Sequence, residues 1–557
     1  MLLFSSKSLL IIESMSNFNK KVIVSLLSFE ILISILLLNN SLTAQVVFSD
    51  YDKIGETPKV NPSTDGFVIN YGKNGNIFYV CTGHLNNGVF HYFIDDENKT
   101  SGRINIKADI NNVQGYLAGV FPLGDFLYAI IKTSTPTKQQ LHAIKIDLET
   151  NSLDKANRVL LGEVAGAPQM LLNSKGELVG KPVKNNRDFL RANFGFNVSK
   201  NNKYAAVAYI KNFNGEKEIY KVSIFDTAFN KVAEHDVDDG FLRAANEYGS
   251  LKIDNNGYAQ FVVERYNPDD GFFEKLHYFK LPPNDSEKVL KTSIAFSGNI
   301  PARSNIFYQK EGLLFPRTKI TKGNGYPAYF LRFDEKEEPI IAGLYSGVNG
   351  EYFIPQGYFL SRVKPGAKSS PVKFYGFDKT GQEYVNLLPT FWTFRDIIFS
   401  KKGEIAFAAT YSSVTAKKHY KEVNKLAFKS AILVGTALSD GKIKLTQAIP
   451  LFSQAFPKIQ LVSASNKVIG FFNDGEQNDG MTWNEVPTPA ELDDLVTCHF
   501  STEFKSSFKR GIYAQINPGR FIGLIDSVPD DKNSIILLNY NNLKEVFVFY
   551  RLQIAAN

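Results

Sequence analysis

Two cysteines, two tryptophans and four methionines in 557 residues remove several classes of protein at once. So few cysteines exclude an array of disulfide-scaffolded small domains, and so few methionines exclude the adaptable Met-rich surface of a promiscuous peptide binder. No long amphipathic helical pattern is present, and no Pro/Ser-rich linker divides the chain into halves. Reaction signatures are also missing. There is no Gly-x-Ser-x-Gly nucleophile elbow, since Gly343 to Gly347 has the wrong spacing. Gly435 to Lys442 is one residue too long for a phosphate-binding loop, and no two histidines have the helical spacing of a metalloprotease. These gaps count against motif-defined enzymes and leave other enzymes open.

Charge of one sign is scarce too. The formal net charge is +7, and the N-terminal 44 residues carry three lysines and two glutamates, so the remainder holds +6. Acidic and basic residues are interleaved almost everywhere, whereas nucleic-acid binding needs a concentrated stripe of Lys and Arg to displace counterions. The densest basic stretch, Lys417, Lys418, His419, Lys421, Lys425 and Lys429, reads as a solvated hairpin or loop, with contact to an acidic polymer as the alternative. No nucleic-acid partner is expected.

What the chain has in quantity is Phe and Tyr, 45 and 26 copies, residues that suit the pleated faces of strands. They recur in one phrase: a small polar turn followed by a short apolar strand. It appears as Gly72 to Val80, Leu123 to Ile131, Ser199 to Tyr209, Asp254 to Val263, Ser400 to Tyr411 and Ser463 to Phe472. Successive copies often start about 50 residues apart, a period in the range of four-stranded propeller blades. A single sheet of this kind cannot bury both faces and must stack on its neighbours. The expected fold is therefore all-β, a β-propeller of seven or eight four-stranded antiparallel blades in one domain, residues 45–557. Residues 45–59 read as polar and irregular, and the region from Arg265 to Leu388 divides least clearly into blades. One helix start is visible, the capping box of Thr488, Pro489 and Glu491.

Residues Val22 to Leu38 form an apolar run preceded by Lys20 and Lys21 and followed by small and polar residues to Ala44. This is the order of a secretory signal, so residues 1–44 read as a signal peptide cleaved before Gln45, with Met15 the more natural start. The competing reading is a retained anchor, since about 17 apolar residues fall only slightly short of a bilayer span. After cleavage no transmembrane anchor remains. The mature chain is expected to be secreted or periplasmic, with association at the cell surface as a further option.

Export gives the cysteines meaning. Cys81 and Cys498 lie in an early and a late strand phrase, and in a closed ring the first and last blades are neighbours. A disulfide there would close a loop worth roughly 5 kcal/mol in chain-entropy models; the alternative is two buried thiols. His84 and His499 beside them suggest a zinc set, but His499 and Cys498 would point to opposite faces of a strand. No metal and no cofactor are expected. Asp238/Asp239 and Asp269/Asp270 each precede Gly and read as turns. Trp483, in a polar setting with Asn478 and Asp479, is the candidate binding residue, while Trp392 between Phe391 and Phe394 reads as core. Asn478, Gly480, Thr482 and Trp483 resemble one Asp-box of the sialidase type, a structural hairpin turn, here in a single copy.

The unit Phe194 to Val237, whose strand closes on Phe225 to Val232, together with the turn Asp254 to Gly257 and the stretches Ala342 to Ser346 and Phe471 to Asn478, is similar to phrases of large secreted propeller-like proteins of Bacteroidetes-type bacteria. That resemblance implies export and a propeller and brings no activity with it. Asp479 to Asp494 departs from it as an insertion. No catalytic residue is assigned. Two functions follow: an exported, non-enzymatic binding or assembly module of the cell envelope, with an envelope protein or glycan as partner, or a propeller-type hydrolase or lyase acting on extracellular polysaccharide.

Overall fold

The recurring phrase has one structural meaning. In a computed structural model of the chain, each copy leads from the first strand of a sheet into the second, which begins at Asn76, Phe126, Ala205, Ala259, Ile405 or Lys467. The structure describes the strands named below and, almost throughout, residues 101–165, 194–212, 219–238, 251–266, 273–304, 329–347 and 355–377; residues 1–47, 180–193, 381–389, 415–427, 476–492 and 510–521 lie outside the described residues.

Eight sheets of four or more strands follow one another among the described residues, which contain no helix; all pairings in them are antiparallel except that of the short Ser369–Ser370 with Leu290–Ala295. Sheet I joins Asp65–Tyr71, Asn76–Thr82, Asn87–Phe93 and Ser101–Lys107. Sheet II joins Gly115–Leu123, Phe126–Ser134, Lys138–Asp147 and Val159–Ala165. Sheet III joins Gly195–Val198, Ala205–Asn212, Ile219–Phe225 and Lys231–Asp238. In sheet IV the first strand is split into Leu242–Ala244 and Leu251–Ile253, both against Ala259–Tyr266, followed by Phe273–Leu281 and Leu290–Ala295. Sheet V is split likewise: Asn299–Pro301 and Tyr329–Phe333 both pair with Pro339–Gly347, followed by Gly357–Arg362 and Lys373–Gly376. Those splits, with the small hairpin of Phe307–Lys310 and Leu313–Pro316 between them, are why the sequence divides least clearly here. Sheet VI joins Thr390–Phe399, Ile405–Val414, Phe428–Ala437 and Ile443–Leu451, and sheet VII joins Ile459–Ala464, Lys467–Gly475, Asp493–Phe500 and Ser507–Lys509.

Sheet VIII departs from the sequence reading. Its strands Ile522–Pro529, Ser534–Asn541 and Val546–Ile554 are completed by Phe48–Glu56, which runs antiparallel to the last strand with Tyr51 opposite Leu552 and Lys53 opposite Tyr550. The segment expected to be irregular is a strand, because its pairing partner is nearly 500 residues away in sequence and no local pattern reports it. A bulge between Lys53 and Gly55 explains the broken alternation.

Packing between sheets follows from strands that are apolar on both faces. In sheet III, Ala205 and Val207 face Leu123, Ile130 and Leu141 of sheet II, while Ala206 and Ala208 pack with Phe261 and Val263 of sheet IV. In sheet IV the intervening Val262 turns the other way, to Leu331, Ile341 and Phe359 of sheet V. Successive side chains of a strand point to opposite faces, so both faces of sheets III and IV are core. Aromatic pairs bridge the seams: Phe121 with Phe196 at 4.7 Å, Tyr220 with Phe261 at 5.4 Å, and Phe296 with Phe359 at 4.9 Å between ring centroids.

Contacts between strands run from sheet to sheet. Leu251–Ile253 meets Gly195–Val198 and Tyr329–Phe333, Thr390–Phe399 meets Tyr329–Phe333 and Ile459–Ala464, and Ile522–Pro529 meets Ile459–Ala464 and Asp65–Tyr71. Asn76–Thr82 in turn meets Gly115–Leu123, so the series returns to sheet I.

Two buried histidines make the assembly acid-sensitive. His142 of sheet II is 5% exposed, and neither ring nitrogen has a hydrogen-bond partner among the described residues. Burial, reinforced by Arg158 and Lys138 and opposed by Glu163, pushes its pKa down to about 4; burial and Lys291 do the same for His277. The unfolded chain takes up these protons near pH 6.5, so this stability is complete above that pH and lost as pH falls to 4, by up to about 3 kcal/mol per histidine. His142→Leu should therefore give a shallower fall in urea midpoint between pH 6.5 and 4 than the parent. An unchanged slope would show that His142 is not a source of the acid sensitivity.

Candidate functional site

Three hairpins at one end of sheets III to V are built alike. In Asp226–Asn230, Asp254–Tyr258 and Asp334–Glu338 the Asp Oδ1 accepts two backbone N–H bonds, from Ala228 and Asn230, Asn256 and Tyr258, and Lys336 and Glu338. The fourth residue of each has positive φ: Phe229 at 58°, Gly257 at 86° and Glu337 at 60°. A turn followed by one left-handed residue is a standard hairpin reversal, and an Asp that bonds to the amides ahead of it starts such turns. Phe229 occupies that position at a steric cost and uses it to place its ring 4.6 Å from Tyr128 of sheet II.

These turns are also chained to one another. The Gly124 N–H of sheet II donates to the Asn202 carbonyl of sheet III at 2.6 Å. Asn201 donates from its backbone N–H to Asn255 Oδ1 at 2.9 Å and from Nδ2 to the Asn255 carbonyl at 3.0 Å. Asn255 N–H in turn reaches Glu337 Oε1 of sheet V at 3.4 Å.

At the sheet II end of this chain lies a cleft of about 760 Å³, walled by Asp125 to Leu127, Lys145 to Glu149 and Ser152 to Ala156. Phe126 directly follows the two-residue turn at Gly124 and Asp125 and is 43% exposed. The Lys145 ammonium sits 3.5 Å from the centre of its ring. The facing loop is held by its own bonds: Asp147 Oδ1 accepts from the Glu149 and Thr150 N–H groups, Asp154 from Asn157, and Lys155 Nζ reaches the Asp109 carbonyl. The Thr150 hydroxyl and the amides of Thr150 and Glu149, with Lys145 nearby, hold the Asp147 carboxyl below its usual range. The carboxylates of Asp125 and Glu149 make no hydrogen bond or ion pair among the described residues. A preformed rim with an exposed ring and free carboxylates can stack on and hydrogen-bond a polar ligand.

The sequence reading placed its candidate elsewhere. Trp483, Asn478 and Asp479 lie outside the described residues, as do the leader 1–44, the helix start at Thr488, Asp269/Asp270, His84 and Lys417 to Lys425. Trp392 pairs with Tyr411 inside sheet VI. Asp238 ends its strand opposite Ile219. Cys81 is in sheet I opposite Val89, and Cys498 is in sheet VII opposite Gly470 and Phe508. The sequence reading made the two cysteine-bearing sheets neighbours, whereas the sheet that meets Asp65–Tyr71 of sheet I is VIII, the one completed by residues 48–56. Among the described residues no group of three His, Cys, Asp or Glu is placed to hold a metal. Phe126 was missed because the phrase Leu123 to Ile131 reads as core throughout; an aromatic immediately after a two-residue turn was the available signal.

No family model matches the sequence and no curated protein matches it. Similar solved structures include a polysaccharide lyase, Uly1, at 9% identity over 89% of this chain and 91% of that chain, with a TM-score of 0.38. A prolyl endopeptidase is similar at 10% identity and a TM-score of 0.35 over 88% of this chain, which spans 55% of that one. The extracellular domains 1-2 of Drosophila Semaphorin 1a are similar at 9% identity over 75% of this chain and 86% of that chain, TM-score 0.32. At these scores the likeness carries no argument about activity, and the architecture is read from the chain's own strand pairing.

Gly124 holds φ at +59°, and a Cβ there would come within 3.1 Å of Thr227 of sheet III. Gly124→Ala should cost roughly 1–2 kcal/mol through left-handed strain and this collision, read as a lower urea midpoint. Unaltered stability would mean that the turn chain does not constrain this end of the fold.

Proposed function

We propose that the eight sheets are the blades of a β-propeller closed by Phe48–Glu56, that the chain is exported after removal of residues 1–44, and that it engages an extracellular polysaccharide at the hairpin end of the ring. The return of the sheet contacts from VIII to I supports the ring. The functional reading is carried by the preformed cleft with Phe126 exposed at its edge. Such a ring can grip its ligand passively, as a binding or assembly module of the envelope, or act on it as a hydrolase or lyase.

One assay separates the two uses. The chain lacking residues 1–44 is incubated with a panel of polysaccharides while chain shortening is followed by size-exclusion chromatography and affinity by gel retardation. Shortening of a polysaccharide establishes the enzyme; retardation without shortening establishes the module. Neither response to any panel member overturns the reading. For export, N-terminal sequencing of secreted material should begin at Gln45, and a start within or before Val22 to Leu38 would establish a retained anchor instead.

A further inference from the structure

We propose that the cleft beside Phe126 takes a saccharide without carboxylate or sulfate groups, a neutral or amino-bearing glycan. This rests on the polysaccharide reading and adds the site and the charge class. Six charged side chains line the cleft: the carboxylates of Asp125, Asp147, Glu149 and Asp154 against the ammonium groups of Lys145 and Lys155. The two cations are engaged, Lys145 over the Phe126 ring and Lys155 on the Asp109 carbonyl. Asp147 and Asp154 serve the loop itself. What faces a ligand is therefore an aromatic ring and the free carboxylates of Asp125 and Glu149. Carboxylates accept hydrogen bonds from hydroxyl or ammonium groups and repel anions. The apolar C–H face of a pyranose covers an exposed ring that folding alone leaves wet. Lys145 fixes the ring through its cation–π contact, so the platform is ordered before a ligand arrives.

The test is isothermal titration with cellohexaose, fully deacetylated chitohexaose and hexagalacturonate as probes, on the parent chain without residues 1–44, on Phe126→Ala and on the double variant Asp125→Asn, Glu149→Gln. All three positions are partly or fully exposed, and thermal melts confirm that the variants fold. Cellohexaose or chitohexaose should bind the parent, with hexagalacturonate at least about tenfold weaker. Phe126→Ala should weaken the bound glycan by about tenfold, and the double variant should weaken chitohexaose most. If a probe binds the parent and both variants equally, or if hexagalacturonate binds best, the inference falls while the polysaccharide reading stands. If none of the probes binds but the panel assay finds a retarded or shortened polysaccharide, the inference falls alone. If the panel also fails, both fall.

Discussion

Every other feature depends on sheets that are apolar on both faces. The strand Ala205 to Ala208 has four consecutive buried residues, two facing sheet II and two facing sheet IV. A sheet built this way exposes one greasy face if it has a neighbour on one side only. At about 25 cal/mol per Å² of apolar surface, leaving a face in water outweighs the net stability of an ordinary domain. Sheets III and IV therefore each need a neighbour on both sides, and each has one. Strand contacts continue from sheet VIII to sheet I, and the N-terminal strand supplies the missing edge of sheet VIII.

How much of this could be read from the sequence depended on whether the determining interaction was local. The six turn-and-strand phrases were legible because Asn, Asp and Gly set a hairpin within a few residues, and each proved to join the first and second strands of a sheet. The pairing of Phe48–Glu56 with Val546–Ile554 was illegible, since nothing in a polar segment with a bulge announces a partner at the far end of the chain. For the same reason the sequence did not report that Cys81 lies in sheet I and Cys498 in sheet VII, with sheet VIII, completed by the N-terminal strand, following in chain order. The splits in sheets IV and V hid two first strands behind inserted segments. Of the site, the sequence offered Trp483, outside the described residues, and hid Phe126 within an apolar phrase whose other members are core.

Two arrangements of polar groups sit in this apolar body, and they behave differently. In the Asp turns each Oδ1 accepts two backbone N–H bonds and each Oδ2 one side-chain N–H, from Asn230, Gln260 or Arg362, and Gln260, at 0% exposure, is held between Asp254 Oδ2 and the Tyr278 hydroxyl. Such groups specify geometry at little cost because nothing is left unpaired. His142 is the opposite case, a buried imidazole whose nitrogens have no hydrogen-bond partner among the described residues and which Arg158 and Lys138 disfavour as a cation. Neutral at pH 7, it is tolerated; protonated, it is offset by Glu163 against both burial and the two cations.

The position of the cleft follows from the same division. Chained turns fix one end of sheets II to V, and at the sheet II end of that chain Gly124 must adopt a left-handed conformation to donate to Asn202. The tight reversal at Gly124 and Asp125 brings Phe126 to the rim before its strand enters the core, where Leu127 is 2% exposed. Four of the next five residues continue inward as core, so the exposed ring is a consequence of where the turn ends and cannot be buried without moving the turn. Because Gly124 is bonded to sheet III while Lys155 and Arg158 bond the facing loop to residues 109 and 111, the two walls of the cleft are anchored to different neighbours. A ligand lying across it would link those two anchors.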